Sequence, residues 1–332
     1  MTDAQVLTKL DKGNFARETL AAALLLRGKS QKELFELARA ARSRWFPSEK
    51  VEVRSVIEIS NICRQNCNFC NINRLPDEKR YVLSRGQILD ITEHVYRNNR
   101  RVLLLQSGEN DSQNYIDFLS GCVADIKKKY ADLTVILCLG SLSLAQYGQL
   151  REAGADRYIL KFETSNPLLY KKIKPKDSLE KRLKCIGFLN RLDFDAGSGN
   201  IIGLPGQTID DIAKDLLLTG RLRLTMASSA VFIPGEGSMF HDKPPGNLDI
   251  TLNYMALLRV LYPRLLIPAT SSLEKAAKNG QFLGLMAGAN TVTIHDGTPA
   301  GIKRHFPIYS LNRVTPDERH MRRIVAKAKL RF

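Results

Sequence analysis

The sequence predicts an α/β fold, a parallel (β/α)8 barrel of the TIM type preceded by an N-terminal helical cap. Three observations predict it. From residue 51 onward β-prone runs alternate with helical patterns, these runs number eight, and the residues of unusual chemistry fall where the runs end. A chain of 332 residues is long enough for two domains. Barrels of this class, however, routinely run past about 250 residues as one unit. The expected division is a helical extension over 1–50, the barrel over 51–296, and an extension over 297–332 that ends in a basic helix. An incomplete six-stranded barrel is the nearest alternative.

Residues 1–50 read as helical because Leu7 and Leu10, then Leu20, Ala23 and Leu24, then Leu34, Leu37 and Ala38 recur at helical spacing. Gly28-Lys29-Ser30 marks a break, with Ser30 as candidate N-cap. Strands are expected at 54–60, 101–106, 134–139, 157–161, 195–202, 224–232, 265–269 and 289–294. Helices are expected near 86–99, 113–130, 143–153, 178–191, 208–219, 250–262 and 271–287. Pro244-Pro245-Gly246 reads as a loop after the sixth strand, and 297–332 is expected to cross or pass the barrel mouth.

Hydrophobic residues make up 44% and charged ones 25% of the chain, a globular composition that excludes a disordered one. No apolar run is long enough to span a bilayer, and the first residues lack the basic-then-apolar pattern of a signal peptide. Clustered cysteines suit a reducing compartment, so a cytoplasmic location is expected. The net charge of +16 is spread through 97–101, 127–129, 171–176 and 181–184 and thickens after 301. Most of these residues fall on expected helix exteriors, and no nucleic-acid recognition motif accompanies them. An anionic substrate or an acidic partner protein is favoured over nucleic acid.

The chemistry concentrates just past the first strand. Cys63, Cys67 and Cys70 stand at C-x3-C-x2-C, which places half of the six cysteines in one loop. Three thiolates can hold three corners of a [4Fe–4S] cluster and leave one iron open. A structural zinc would want a fourth ligand, usually in a second knuckle, and none follows.

With Phe69 just before the third cysteine, the stretch IEISNICRQNCNFC resembles the signature of the radical S-adenosylmethionine (SAM) superfamily. The resemblance implies one [4Fe–4S] cluster per chain on Cys63, Cys67 and Cys70. It implies SAM bound at the open iron and cleaved reductively to a 5′-deoxyadenosyl radical. It also implies a low-potential electron donor, a flavodoxin or ferredoxin. Other motifs of the family lie at later strand ends. Gln106-Ser107-Gly108-Glu109 resembles the segment that holds the methionine amino group. Glu163, in Glu163-Thr164-Ser165-Asn166-Pro167, and Arg182 in the following helix match residues that contact the two ends of SAM. Gly199-x-Ile201-x-Gly203 resembles the adenine-binding strand.

LQSGEN, AGADRYILKFETSNPLLYKKIKP, GSGNIIGLPGQTIDDIAKDL, VFIP and IPAT narrow the resemblance to the branch holding HydE, the iron-iron hydrogenase maturase, methylornithine synthase and, more distantly, biotin synthase. The chain departs from HydE over Gly235–Phe240 and Ser271–Glu274, where substrate would lie. Gln106 and Gly197 occupy positions where biotin synthase has auxiliary-cluster cysteines, which weighs against sulfur insertion. Cys138 lies near another such position, whereas Cys122 and Cys185 read as small buried apolar groups. Lys161, Thr270, Ser271, Asn290 and His295, at expected strand ends, are candidates for substrate contact. The implied function is a HydE-like radical SAM enzyme acting on a small substrate inside the barrel. The alternatives are a methylornithine synthase-like mutase, biotin or lipoyl synthase-like sulfur insertion, RNA modification, and a non-catalytic iron-sulfur scaffold.

Overall fold

Eight parallel strands form the sheet of the computed structural model, which describes residues 1–75 and 77–332. They are β1 (Glu52–Ser60), β2 (Val102–Ser107), β3 (Thr134–Cys138), β4 (Arg157–Ile159), β5 (Asp195–Ile202), β6 (Met226–Val231), β7 (Pro268–Ala269) and β8 (Thr291–Ile294). The order β6-β5-β4-β3-β2-β1-β8-β7 curls the sheet into a ring. Between β6 and β7 the ladder shrinks to a bridge from Met226 to Leu266. Two hydrogen bonds flank it, from Ala227 N to Leu266 O at 3.0 Å and from Leu266 N to Thr225 O at 2.9 Å. The barrel is nearly closed and eight-stranded, as the sequence predicts.

Helices α1 (Asp3–Asp11), α2 (Arg17–Leu24) and α3 (Gly28–Trp45) precede the sheet. The crossovers are α4 (Arg85–Arg97), α5 (Gln113–Lys129), α6 (Leu144–Glu152), α7 (Pro167–Ile173), α8 (Leu179–Arg191), α9 (Ile209–Arg221), α10 (Leu248–Leu261), α11 (Ser271–Ala276) and α12 (Gly280–Met286). After β8 come α13 (Ala300–Lys303) and α14 (Glu318–Lys327). Capping boxes fix several starts: Thr2, Ser84, Ser143 and Thr208 each accept from the backbone N–H three residues on. Among the described residues no helix is long and apolar enough to cross a membrane.

Three expectations are corrected. Helix α3 begins at Gly28, where φ is +58°, so Ser30 lies inside its first turn and caps nothing. The helix expected over 271–287 is two, because Asn279 is left-handed at φ +62° and Gly280 lies so close to Leu273 O that a Cβ would sit 1.8 Å from it. Helix α7 was not expected at all. It is only seven residues long, started by Asn166, whose side chain accepts from Leu168 N and Leu169 N, and by Pro167 in the first turn.

Side-chain alternation divides the strands between two environments. Ile57, Ile59, Leu103, Leu105, Val135 and Leu137 face the helices, with Cys122 and Cys185 packed in the same apolar cluster as small buried groups. Val56, Leu104 and Ile136 face inward and form an apolar plug with Val102, Cys138 and Ile159. Below it, at the N-terminal end of the barrel, Glu52 accepts from Arg54 Nε at 2.7 Å and Arg157 Nη1 at 2.8 Å. Above it lie the C-terminal strand ends and the open mouth. The N-terminal helices share a core with α9 and α10 through Leu20, Leu24, Leu34, Ile212, Leu216 and Leu257. The chain end returns beside β1, where Val51 N donates to Arg331 O at 2.6 Å.

Candidate active site

The cysteine loop leaves β1 at Ser60 and is held from several sides. Arg64 N donates to Glu109 O at 2.8 Å, and Asn68 N donates to Ile173 O at 2.8 Å. Asn61, fully buried, donates to Lys79 O and His305 O, both at 2.7 Å. Asn73 donates to Gln65 O at 2.5 Å and also to Cys63 O. Gly108 passes so close that a Cβ there would lie 2.6 Å from Cys63 Cβ, which ties the end of β2 to the first cysteine. The loop is therefore shaped before anything binds to it.

Cys63, Cys67 and Cys70 are free thiols, each half-buried. Burial pushes Cys67 up, and the ammonium of Lys174 opposes that shift. Burial, then the neighbouring Cys67, pushes Cys70 up as well. Thiols so placed stay protonated until a cation offsets their charge. Among the described residues no three His, Cys, Asp or Glu groups gather as a single metal ion would require. A cubane makes no such demand, since each of its corner irons takes one thiolate. Three soft sulfurs, a fixed loop and a buried ammonium fit the cluster that the spacing implies.

Around this loop the structure gathers most of the residues expected at the site. Glu109 is buried, and its Oε1 accepts from Gln65 Nε2 at 2.6 Å and Arg64 Nη2 at 3.1 Å. Its Oε2 accepts from Arg182 Nη2 at 3.3 Å. Burial would raise this carboxyl, but Arg182, Lys174 and Gln65 hold it below the usual range. Arg182, also buried, donates to Asp177 Oδ2 at 2.6 Å and to Tyr170 OH at 3.0 Å. The two-residue pairing of Glu163 with Arg182 that would make an ordinary surface ion pair is absent among the described residues. Arg182 is instead the centre of a buried network with Asp177, Tyr170 and Glu109.

Glu163 occupies a left-handed position, φ +63°, stitched to β5 by Glu163 N to Gly199 O at 3.0 Å and Ile201 N to Glu163 O at 2.9 Å. Its Oε2 is buried without a hydrogen-bond partner. Lys161 Nζ lies 3.1 Å from that oxygen, a charge contact outside hydrogen-bonding geometry. Phe69 packs on the apolar cluster of Ile201, Leu169, Ile173 and Phe232, so the aromatic beside Cys70 meets the glycine-bearing strand. The space a Cβ would need at Gly199 holds Ser228 O, and at Gly203 it holds Gly246. Both glycines therefore serve close packing of the backbone.

The substrate candidates scatter more. Gln106 and Cys138 face inward side by side in the β2–β3 register. Thr270 Oγ1 lies 2.9 Å from Ser272 Oγ, and Ser271 Oγ accepts from Tyr309 OH at 3.2 Å. His295 is buried at the end of β8. Asn290 is a correction: it stands at the start of β8, the end remote from the mouth, where its Oδ1 accepts from Ile267 N at 2.8 Å and holds β7 in place.

Sequence reasoning missed Glu58, Lys174, Asp177 and Asp215. Helical periodicity gave no cue for Asp177, which lies in a turn, whereas Asp215 sits on the buried face of α9. Asp215 accepts from Ser165 N at 2.6 Å and Asn200 Nδ2 at 2.8 Å, buttressing the Glu163 turn against β5. Burial pushes its carboxyl up to about 7. The protonated acid can donate to the amide oxygen of Asn200 once that amide turns over, and this oxygen otherwise has no partner. A carboxyl that binds its proton more tightly when folded stabilises below its unfolded pKa of about 4, and that contribution fades as pH rises towards 7. Asp215→Asn should therefore abolish the stability loss this group causes between about pH 4 and 7, making the variant progressively more stable relative to the parent as pH rises through that range. Urea melts across that range check it, and parallel profiles for the two proteins would refute the assignment.

Comparison with known proteins gives the family and the fold. A model of the radical SAM superfamily matches residues 57–218, from β1 into α9. The [FeFe] hydrogenase maturase subunit HydE of Thermotoga maritima is 36% identical over 311 residues, covering 93% of this chain and 88% of that protein. The 3-methylornithine synthase of Methanosarcina acetivorans is 27% identical, covering 83% and 78%. The crystal structure of methylornithine synthase superposes with a TM-score of 0.83 at 24% identity, over 98% of this chain and 95% of that one, and so shares its fold. From the matched superfamily model and the near full-length identity to a maturase, the chain belongs to the radical SAM superfamily.

Proposed function

We propose that the cluster sits on Cys63, Cys67 and Cys70, that SAM lies between the cysteine loop and β5, and that a small substrate reacts inside the barrel in a HydE-like or paralogous reaction. The observation that carries this reading is Glu163 Oε2, a buried acceptor without a hydrogen-bond partner, beside three thiols at the barrel mouth. When loaded, such a cluster supplies one electron to SAM and yields a 5′-deoxyadenosyl radical.

The chain's own residues position and shield. Glu163 would take the SAM ammonium, exchanging its loose contact with Lys161 for a charge-assisted hydrogen bond. Arg182 would act largely through Glu109, whose carboxylate it fixes, and with Gly108 and Gln106 shape the floor under the methionine end. Phe69 and Ile201 would offer the apolar wall for the adenine, with Gly199 and Gly203 keeping β5 close to its neighbours. Lys161, Thr270, Ser271 and His295 remain on the substrate side. The exposed Lys171, Lys172 and Lys176 next to the loop suit an acidic low-potential donor, a flavodoxin or ferredoxin.

Anaerobic reconstitution with iron and sulfide, then dithionite and SAM, tests the reading. About four irons per chain and SAM-dependent 5′-deoxyadenosine are expected. A loaded protein that never cleaves SAM, with thiol amino acids or lysine present, would leave the non-catalytic scaffold as the better account.

A further inference from the structure

The end of the barrel remote from the cysteine loop carries a groove that the candidate active site does not use. It opens at the N-terminal ends of the strands, between the last turn of α3, the end of α9 and the turns that lead into β6 and β7. Its volume is about 360 Å³. Trp45, the only tryptophan of the chain, stands in it and is 41% exposed. Leu224, Tyr262 and Leu265 line it as well. Tyr262 fits against α9 because Gly220 has no side chain: a Cβ there would sit 2.5 Å from its hydroxyl, which donates to Leu216 O at 2.9 Å. A second groove of about 390 Å³ shares Trp45 and Pro263 with the first and continues it towards Leu37 and Phe15. Exposed tryptophan and tyrosine beside apolar hollows, with arginine around them, are the composition of the centre of a protein interface.

The charge of what covers this surface follows from its arginines. Arg44, Arg223 and Arg264 are exposed along the two grooves. Among the described residues none of the three side chains pairs with a carboxylate or donates a hydrogen bond, so none is spent on a helix-end carbonyl. Asp11 is the only acidic residue lining either groove. Arg264 sits over the Trp45 ring at 4.3 Å, which steadies its guanidinium on the aromatic face and leaves the N–H edge to an acceptor. A second copy of the chain is a poor occupant, because each copy carries a charge of +16 and like would face like. Chemistry in barrels of this class belongs to the other end, where the strands finish. A partner held here leaves the mouth free.

We propose that this face docks an acidic segment of a partner protein, which inserts an apolar side chain beside Trp45, Leu224 and Tyr262 and sets its carboxylates against Arg44, Arg223 and Arg264.

Trp45 makes the test specific to the site, because no other residue contributes tryptophan emission. The probe is a peptide of about twelve residues, one leucine among glutamates and aspartates, added to the whole reconstituted chain. Anisotropy of a labelled peptide gives the affinity, and the unlabelled peptide is read through Trp45 emission. Binding with Kd on the order of 10–100 μM at low salt is expected, weakening as salt rises, with emission moving to shorter wavelength as the ring leaves water. Replacing the leucine by serine should weaken binding at least about tenfold. Arg264→Glu or Arg223→Glu should do the same, and both side chains are exposed, so the fold is not at stake. Lys128→Glu, at an exposed lysine of α5, controls for net charge and should bind as the parent does. Equal binding of the serine peptide, equal binding of a single-stranded oligouridylate, binding that leaves Trp45 emission unmoved, or no binding at all would overturn the proposal.

Discussion

Cys67→Ala protein will load little iron and form no measurable 5′-deoxyadenosine. Two remaining thiolates cannot hold a cubane by three corners, so the loss should exceed the roughly 10–100-fold that follows removal of a mere supporting group at a metal site. The loop itself should survive, because Arg64, Asn68 and Asn73 hold it through backbone groups that the substitution leaves alone. Iron and sulfide content, visible absorbance and deoxyadenosine would be measured together. Near-normal deoxyadenosine in this variant would end the assignment of the cluster to these cysteines. Loading of the parent protein should also quicken from about pH 7 to 9. Burial keeps Cys67 and Cys70 protonated in the empty loop, and each must lose its proton to bind iron.

Arg182→Met should cost about 3–5 kcal/mol of stability, the effect of stranding buried charge. Asp177, 1% exposed, would keep the N–H of Ser178 at 2.9 Å, the hydroxyl of Tyr170 and, at 3.8 Å, the ammonium of Lys174, but lose the guanidinium that offsets its charge most closely. Glu109 would keep Arg64 and Gln65 but lose the guanidinium on its second oxygen. The deficit should depend on pH. Burial would raise both carboxyls, but Arg182 foremost holds each below its usual range. Groups with depressed folded pKa values stabilise above the unfolded pKa of about 4 and lose that contribution as pH falls. The variant lacks most of this contribution. Its deficit should therefore hold from neutrality down to about pH 5 and shrink as pH falls below about 4, as urea melts at about pH 7 and about pH 3 would show. A constant deficit would mean that Arg182 matters for packing alone. The affinity for SAM should fall as well, through the displaced Glu109.

What the sequence discloses here is what repeats or lies close along the chain. The eight strands announce themselves because each is a short apolar run between helical patterns. The cysteine loop is legible because its ligands lie within eight residues of one another. Glu58 was in plain view inside the first strand, yet its partners His295 and Arg313 are 237 and 255 residues away, and nothing local says that they meet. Arg182 was visible as a charge in a helix, but its partner Tyr170 reads as part of a basic run. Asn290 misled because both ends of a short strand look alike in sequence, whereas only one faces the mouth. Helix α7 escaped notice because seven residues make too few turns for periodicity to register.

The thin seam between β6 and β7 bears on how such a protein can change. The strands that carry the cysteine loop, Glu109, Glu163 and the β5 glycines are joined by parallel ladders from β1 to β5, with one register shift between Glu58 and Ser60. The segments that follow β6 and β7, Gly235–Phe240 and the start of α11 at Ser271–Glu274, hang from the two strands whose pairing, among the described residues, is that single bridge with its two backbone hydrogen bonds. They are also the segments where the sequence reading expects a departure from the maturase pattern. A ring with one loose join would let evolution refit the part proposed to meet substrate without disturbing the part proposed to hold the cluster.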